Sequence, residues 1–513
     1  MNERIKLALS TATTLYKKHF LFYICSKVIT FGLILHLVLQ QSSLIELDEN
    51  TSLTLLIGQD ILDGNFSAFR YGHNFAGTAE YLVIAPLVAI FSISNTVTKI
   101  IGIFFLILTS VLIWKGFERT PYKDKMRIAM ALLWIWPGYF VFTTSNSSGY
   151  LSALILVYAG ILFSSYYAAH SLINKKFYFL FAFLSGLALW IYPLSIIFTF
   201  VCLLWIRRSS PTLKQLNLRA LSIFILGSLL WWAKTISDRG NNLFRFFENN
   251  VGPTSTGFSN NGNSLLTFLD IKTTNNKNFV FEELNLGISI LYIIAIASVI
   301  TLLIFGIKKA LQSKRTDFAH LAASLVIAQI TTSIIFWVLS IKLGPTFYLG
   351  LVIPLCFLVV FSLESKMILI LGINALLIAS GLSLIASTKT HEPVNTKQLS
   401  AIEKTLQSKK ISTVIATHRL SYPIVVESDN TITANPFDYN AFDIKRAQIV
   451  QKEVEAIVVE QNDKKQNDIA LCVQGAFSTG FEKINIQGAD IYIVPKDLQS
   501  KIWKVTQLCN QRS

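Results

Sequence analysis

The sequence predicts an all-α polytopic membrane protein of about eleven transmembrane helices, followed by a small α/β extracytoplasmic domain at the carboxyl end. Three observations carry this. First, 52% of the 513 residues are hydrophobic and mean hydropathy is +0.51. Second, the apolar residues gather in blocks of roughly 15–22 bounded by charge, about the length that crosses a ~30 Å hydrocarbon layer. Third, the Lys and Arg residues that give a net charge of +15 fall in short clusters between those blocks. That is the positive-inside pattern rather than a nucleic-acid footprint, so no nucleic-acid partner is expected.

Taken in order, Arg4, Lys6, Lys17 and Lys18 place the amino end in the cytoplasm, and Phe20–Leu39 is the first span. No small-residue cleavage site follows it, so it reads as a span rather than a removed signal peptide. The first outer loop covers residues 42–96 and holds two short apolar stretches, Thr51–Leu62 and Glu80–Ile93. The second is short and contains Pro86. If it crossed, the cluster Lys115, Arg119, Lys123, Lys125 and Arg127 would fall outside. Both stretches therefore read as helices lying on the outer leaflet.

The next spans are Val97–Trp114, Ile128–Phe142 and Tyr150–Ala169. Phe177–Ile206 would be roughly 45 Å long as one helix. Lys175-Lys176 and Arg207-Arg208 bracket it, and both want the inside, so it reads as a broken pair turning at Tyr192-Pro193. Leu221–Ile236, Leu286–Phe305, Phe318–Leu339, Phe347–Leu363 and Met367–Ile385 complete the set. An odd number of crossings puts the carboxyl end outside. The outer segment Asp238–Glu283 is rich in Asn, Gly and Ser and is expected to be mobile.

Residues 1–388 thus form the membrane domain and residues 389–513 an extracytoplasmic domain. In the latter, 413–416, 423–426, 456–459, 469–473 and 491–494 read as strands and 442–454 as a helix. Cys25, Cys202 and Cys356 lie in apolar blocks as packing residues. Cys472 and Cys509 lie in the tail, where an extracytoplasmic location would permit a disulfide. No CxxC or His/Cys cluster suggests a metal site, and no P-loop, GxSxG or HExxH motif is present.

The chemistry-bearing residues concentrate in the first outer loop. Asp48-Glu49 follow the first span directly, and Glu80 opens the second apolar stretch. Carboxylates held at a bilayer surface can act as general bases toward a hydroxyl or hold a divalent cation, Mg or Mn, against a phosphate. Between them lie Arg70, Tyr71 and His73. Arg70 is a candidate phosphate contact, or an interfacial anchor; Tyr71 and His73 could equally belong to an ordinary turn. Lys234, Lys342 and Tyr348 stand at outer ends of later spans, where phosphate contact competes with snorkelling and aromatic-belt roles.

The loop resembles that of the bacterial GT-C glycosyltransferases, relatives of protein O-mannosyltransferases and aminoarabinose transferases. The resemblance rests on Asp48-Glu49, on Gly64-Asn65-Phe66, and on the run Phe69-Arg70-Tyr71-Gly72-His73-Asn74-Phe75-Ala76-Gly77-Thr78-Ala79-Glu80 leading to Ala85-Pro86-Leu87. Trp136-Pro137 and Gly186–Trp190 extend it through the membrane part. His73 stands where such relatives often carry Gln, and Ser52-Leu53 where they carry Tyr. The resemblance implies a polyprenyl-phosphate sugar donor, an envelope glycan, lipid or protein as acceptor, inverting transfer outside the cytoplasm, and Asp48 as the base. Two other readings stay open: a transporter or flippase of envelope lipids, and a non-enzymatic envelope assembly protein. Transport paths usually carry ionisable residues in mid-span, and the predicted spans hold almost none.

Overall fold

A computed structural model describes residues 3–41, 49–69, 76–145, 151–171, 174–237, 263–273, 278–339, 341, 343–363, 366–390, 396–437, 450, 452–461, 464–477, 481–486 and 488–512. The chain divides into two compact units. One comprises Met1–Leu39, Gly102–Ser145 and Leu151–His391; the other comprises Gln40–Ile101, Asn146–Tyr150 and Glu392–Ser513.

The first unit is helical. Among the described residues, seven helices are long and apolar enough to cross a membrane: His19–Gln41 (in α1, Glu3–Gln41), Asn95–Gly116 (α4), Leu151–His170 (α7), Leu286–Gln312 (α12), Phe318–Val338 (α13), Pro345–Ser362 (a 3-10 turn Pro345–Leu351 running into α14, Val352–Ser362) and Met367–Ser387 (in α15, Lys366–Thr390). An eighth passes as a pair, α10 (Asn217–Gly227) and α11 (Leu229–Ser237), bent by 70°. The other expected crossings are two-part segments. One is α5 (Lys123–Leu132) and α6 (Gly138–Ser145), interrupted at the cis peptide Trp136-Pro137. The other is α8 (Asn174–Ile191) and α9 (Ser195–Ser209), which break around Tyr192-Pro193, because proline cannot donate to the helical ladder.

Close backbone approaches set the packing. A Cβ on Gly186 of α8 would lie 2.1 Å from the Phe224 carbonyl oxygen of α10, and one on Gly227 2.3 Å from that of Phe183. Gly306 of α12 is pressed in the same way on Leu358 of α14, at 2.2 Å. In lipid, where the hydrophobic effect does not drive helices together, such small-residue contacts supply van der Waals packing.

The second unit joins the first-loop helices to the tail. Its tail sheet has the order β2-β1-β3-β5-β4, with β1 Thr413–Ala416, β2 Thr433–Pro436, β3 Ala456–Glu460, β4 Glu482–Ile486 and β5 Ala489–Ile493. The pairs β1–β2 and β1–β3 are parallel, while β3–β5 and β5–β4 are antiparallel. Helices Thr396–Ser408 (α16), His418–Glu427 (α17), Lys464–Phe477 (α18) and Gln499–Arg512 (α19) complete the domain. A disulfide between Cys472 of α18 and Cys509 of α19 joins two helices that pack together.

Two expected strands are helices. Residues 423–426 lie in α17 and residues 469–473 in α18. α17 is buried along most of its length, packed by β2, α16 and α2 (Glu49–Leu62). The expected strand 423–426 is a short apolar run, and such a run cannot be told from a buried strand by periodicity alone. Of the expected helix 442–454, residues 442–449 and 451 lie outside the described residues. β2 and β4 went unpredicted.

Candidate active site

The acidic loop is built on two helices of the second unit. α2 (Glu49–Leu62) pairs with α3 (Tyr81–Phe91), and Gly58 permits it: a Cβ there would lie 2.8 Å from Ile84 Cγ2. α3 is 11 residues long, about half of what a span needs. The apolar face expected to meet lipid on α2 instead meets protein. Residues 51–58 are all buried, and α2 packs on α3 and on α17 of the tail domain.

α2 ends at Gly64, whose φ of +80° suits glycine. The Gly64 amide donates to the Ile61 carbonyl (3.1 Å) and the Asn65 amide to that of Asp60 (2.7 Å). The chain then forms a short stem. Phe69 and Gly77 make an antiparallel bridge, and the Thr78 hydroxyl donates to the Ser67 carbonyl (2.6 Å). Arg70, Tyr71 and His73 belong to the six residues between Phe69 and Ala76, which lie outside the described residues, as do Asp48 and Lys342. Glu49 is the first residue of α2, and its side chain also lies outside them.

Glu80 is 1% exposed and occupies the N-cap position of α3, yet its side chain makes no capping hydrogen bond to that helix. Lys234 is half-buried near the end of α11, where its carbonyl accepts from the Ser237 hydroxyl. Tyr348 lies in the core of the first unit. It is 0% exposed, its hydroxyl is 2.8 Å from Ser333 Oγ, and its ring packs beside Phe268. That environment makes it a packing residue with a satisfied hydroxyl.

The structure brings forward a carboxylate that the sequence did not single out. Asp270 is fully buried and lies in the segment expected to be mobile, whose described part 263–273 is instead well packed. Its carboxylate accepts hydrogen bonds from the Gly138 amide (2.8 Å) and the Tyr139 amide (3.3 Å), the first two of α6, and from the Ser383 hydroxyl of α15 (3.3 Å). A Cβ at 138 would sit 2.7 Å from Asp270 Oδ1, so a larger residue there would displace that carboxylate. Burial pushes the carboxyl up from 3.8 to about 7, against the pull of the Gly138 and Tyr139 amides and Ser383. Asp270 therefore caps the helix restarting after Trp136-Pro137. The run Leu265-Leu266-Thr267-Phe268-Leu269-Asp270-Ile271 is apolar within an otherwise polar segment, and that was the available signal.

The other end of α6 is held by His36. Its Nδ1 meets the Gly32 carbonyl (2.7 Å) and its Nε2 meets Thr144 Oγ1 (3.0 Å). A carbonyl only accepts, so Nδ1 carries a proton, while the single Thr144 hydroxyl proton is within reach of both Nε2 and the Phe140 carbonyl (2.9 Å).

Among the described residues, no three His, Cys, Asp or Glu side chains come together to hold a metal.

At the level of sequence, no family model and no curated protein matches the chain. The fold does match solved structures. ArnT from Cupriavidus metallidurans in the apo state superposes with a TM-score of 0.60 at 10% identity, covering 92% of this chain and 99% of that one. The same protein bound to undecaprenyl phosphate gives 0.60 at 10% identity, covering 91% and 97%. The Archaeoglobus fulgidus oligosaccharyltransferase in complex with Zn and sulfate gives 0.51 at 12% identity, covering 94% and 76%. These matches show that the chain shares the fold of these proteins along most of its length, and seven of its described helices are long and apolar enough to cross a membrane.

Proposed function

We propose that the protein is an inverting glycosyltransferase that moves a sugar from a polyprenyl-phosphate donor to an acceptor outside the cytoplasm: an envelope glycan, a lipid or a protein. The observation that carries the reading is the likeness to ArnT over more than nine-tenths of both chains, including a form bound to undecaprenyl phosphate. The acidic pair at the end of the first span and the absence of a nucleotide-binding motif support it. A donor held by its lipid needs no such motif.

In this reading Asp48 takes the proton of the acceptor hydroxyl as that oxygen attacks C1 of the sugar. The bond from C1 to the phosphate oxygen breaks, and the polyprenyl phosphate leaves with its charge. Glu80 or Glu49 orients the acceptor or holds a divalent cation, and Tyr71 and His73 contact the substrate. Lys342, Arg70 or Lys234 neutralises the departing phosphate. Catalysis is positioning plus charge stabilisation. The domain boundary near residue 388 and an extracytoplasmic tail belong to the same reading. The Cys472–Cys509 disulfide supports that tail placement, since disulfides persist in oxidising compartments.

The test is chemical. The envelope glycans of a strain lacking the protein should miss one sugar. Purified protein in lipid nanodiscs should then consume the corresponding polyprenyl-phosphate sugar. An unchanged glycan profile, together with no consumption of any polyprenyl-phosphate hexose or pentose, would return the transporter and assembly readings.

A further inference from the structure

A cavity of about 330 Å³ lies between α8, α9 and α10, within the size range of small-molecule and lipid-chain sites. Among the described residues, none assigned above lines it. Its walls are apolar, with Phe181, Ile196, Phe200 and Phe224 prominent. α8 and α10 touch backbone to backbone at Gly186 and Gly227. Every α8 and α10 residue lining the cavity precedes that contact, so the pinch closes one end.

The other end is polar and positive. Tyr178, Arg207 and Asn217 line it. The Tyr178 hydroxyl donates to Asn217 Oδ1 (3.1 Å). The same ends of these helices carry Lys175, Lys176, Arg208 and Arg219, all exposed, and among the described residues no carboxylate pairs with any of them. Two buried polar atoms here have no partner among the described residues: Arg207 Nε and Ser185 Oγ, the latter on a residue 3% exposed that lines the cavity. An apolar slot closed at one end and ringed by unpaired cations at the other matches an amphiphile with an apolar tail and an anionic head. Free phosphate would leave the aromatic walls uncovered, and a neutral lipid would leave Arg207 without a counter-charge.

We propose that this cavity binds one acyl chain of an anionic glycerophospholipid, with its phosphate on Arg207, drawn from the leaflet on the basic, cytoplasmic side. The inference does not depend on the transferase reading. Full-length protein, delipidated in detergent, would be titrated with dioleoyl phosphatidylglycerol and examined by native mass spectrometry. One lipid should survive collisional activation that strips the rest. Arg207→Gln should weaken that binding about tenfold, the scale of one lost charge-assisted contact. Ala182→Phe, which fills the slot, should abolish it. Dioleoylglycerol, which lacks the phosphate, should bind at least about tenfold more weakly, and millimolar inorganic phosphate should not displace the lipid. Thermal unfolding of both variants checks that they fold, and Arg207→Gln stands alone if Ala182→Phe does not. No retained lipid in the wild type, equal retention in wild type and Arg207→Gln, equal binding of dioleoylglycerol, or displacement by inorganic phosphate would each overturn the proposal.

Discussion

Asp270 and Glu80 are both buried carboxylates at the amino end of a helix. Asp270 belongs to a loop distant in sequence from α6, whose first two amides it accepts. Glu80 is the N-cap residue of its own helix and leaves that helix uncapped by its side chain. The difference separates two uses of buried charge. Asp270 closes a helix end that a broken span leaves open inside the protein, where unsatisfied amides are costly. Glu80 gives α3 its backbone carbonyl, which accepts from the Val83 (3.0 Å) and Ile84 (3.2 Å) amides, and not its carboxylate. Charge and burial alone therefore do not mark a catalytic group, since one such carboxylate caps a helix and the other does not.

The largest expected structural effect lies in the second unit. Replacing Cys472 and Cys509 by Ser opens a link across a sequence separation of 37 and should cost the tail domain about 4 kcal/mol on a chain-entropy account. The measurement is chemical unfolding followed by a probe in the tail. Near-zero change would show that packing of α18 on α19 suffices alone.

Asp270→Ala tests the other side of the comparison. It strands the Gly138 and Tyr139 amides and should cost about 1–3 kcal/mol, read as a lower thermal midpoint. An unchanged midpoint would mean that Asp270 does not hold α6. Asp270 also predicts a pH dependence. Its folded-state value is raised from 3.8 to about 7, so the folded protein holds the proton more tightly than the unfolded chain. The stability this contributes is full below the ordinary carboxyl range and is lost as pH rises through about 7. Wild type should lose stability between about pH 4 and about pH 7, and Asp270→Asn should lose less. Parallel curves would contradict the assignment. Tyr348→Phe is the smallest expected change: one hydroxyl contact to Ser333, worth about 1 kcal/mol, with sugar transfer intact.

Much of this was legible in sequence, for physical reasons. Long apolar blocks declare themselves because lipid imposes their length. The pause at Tyr192-Pro193 declared itself because proline and flanking charge agreed. Tyr81–Phe91 was readable as too short to cross. What escaped was set by partners remote in the chain. α17 looked like a strand because its apolar run 423–426 is too short to show a period and is buried under β2, α16 and α2. α2 was read as lying on lipid because nothing local announces a helix some 360 residues later that covers it. Asp270 was passed over because its Asn- and Gly-rich surroundings resemble a free loop, while its two amide partners lie 132 and 131 residues away in the chain. In the acidic loop, Asp48, Arg70, Tyr71 and His73 remain assignments from motif and chemistry.

The most direct test of the central claim compares two carboxylates in one assay. Wild type, Asp48→Asn and Asp270→Asn would be placed in nanodiscs with a polyprenyl-phosphate sugar that the wild type consumes. Single-turnover transfer would be timed below the unfolding temperature of each. The account predicts that Asp48→Asn loses about 10²–10⁴-fold in rate with an unchanged thermal midpoint, while Asp270→Asn shifts in stability and keeps its rate. Transfer by Asp48→Asn at the wild-type rate would contradict the account.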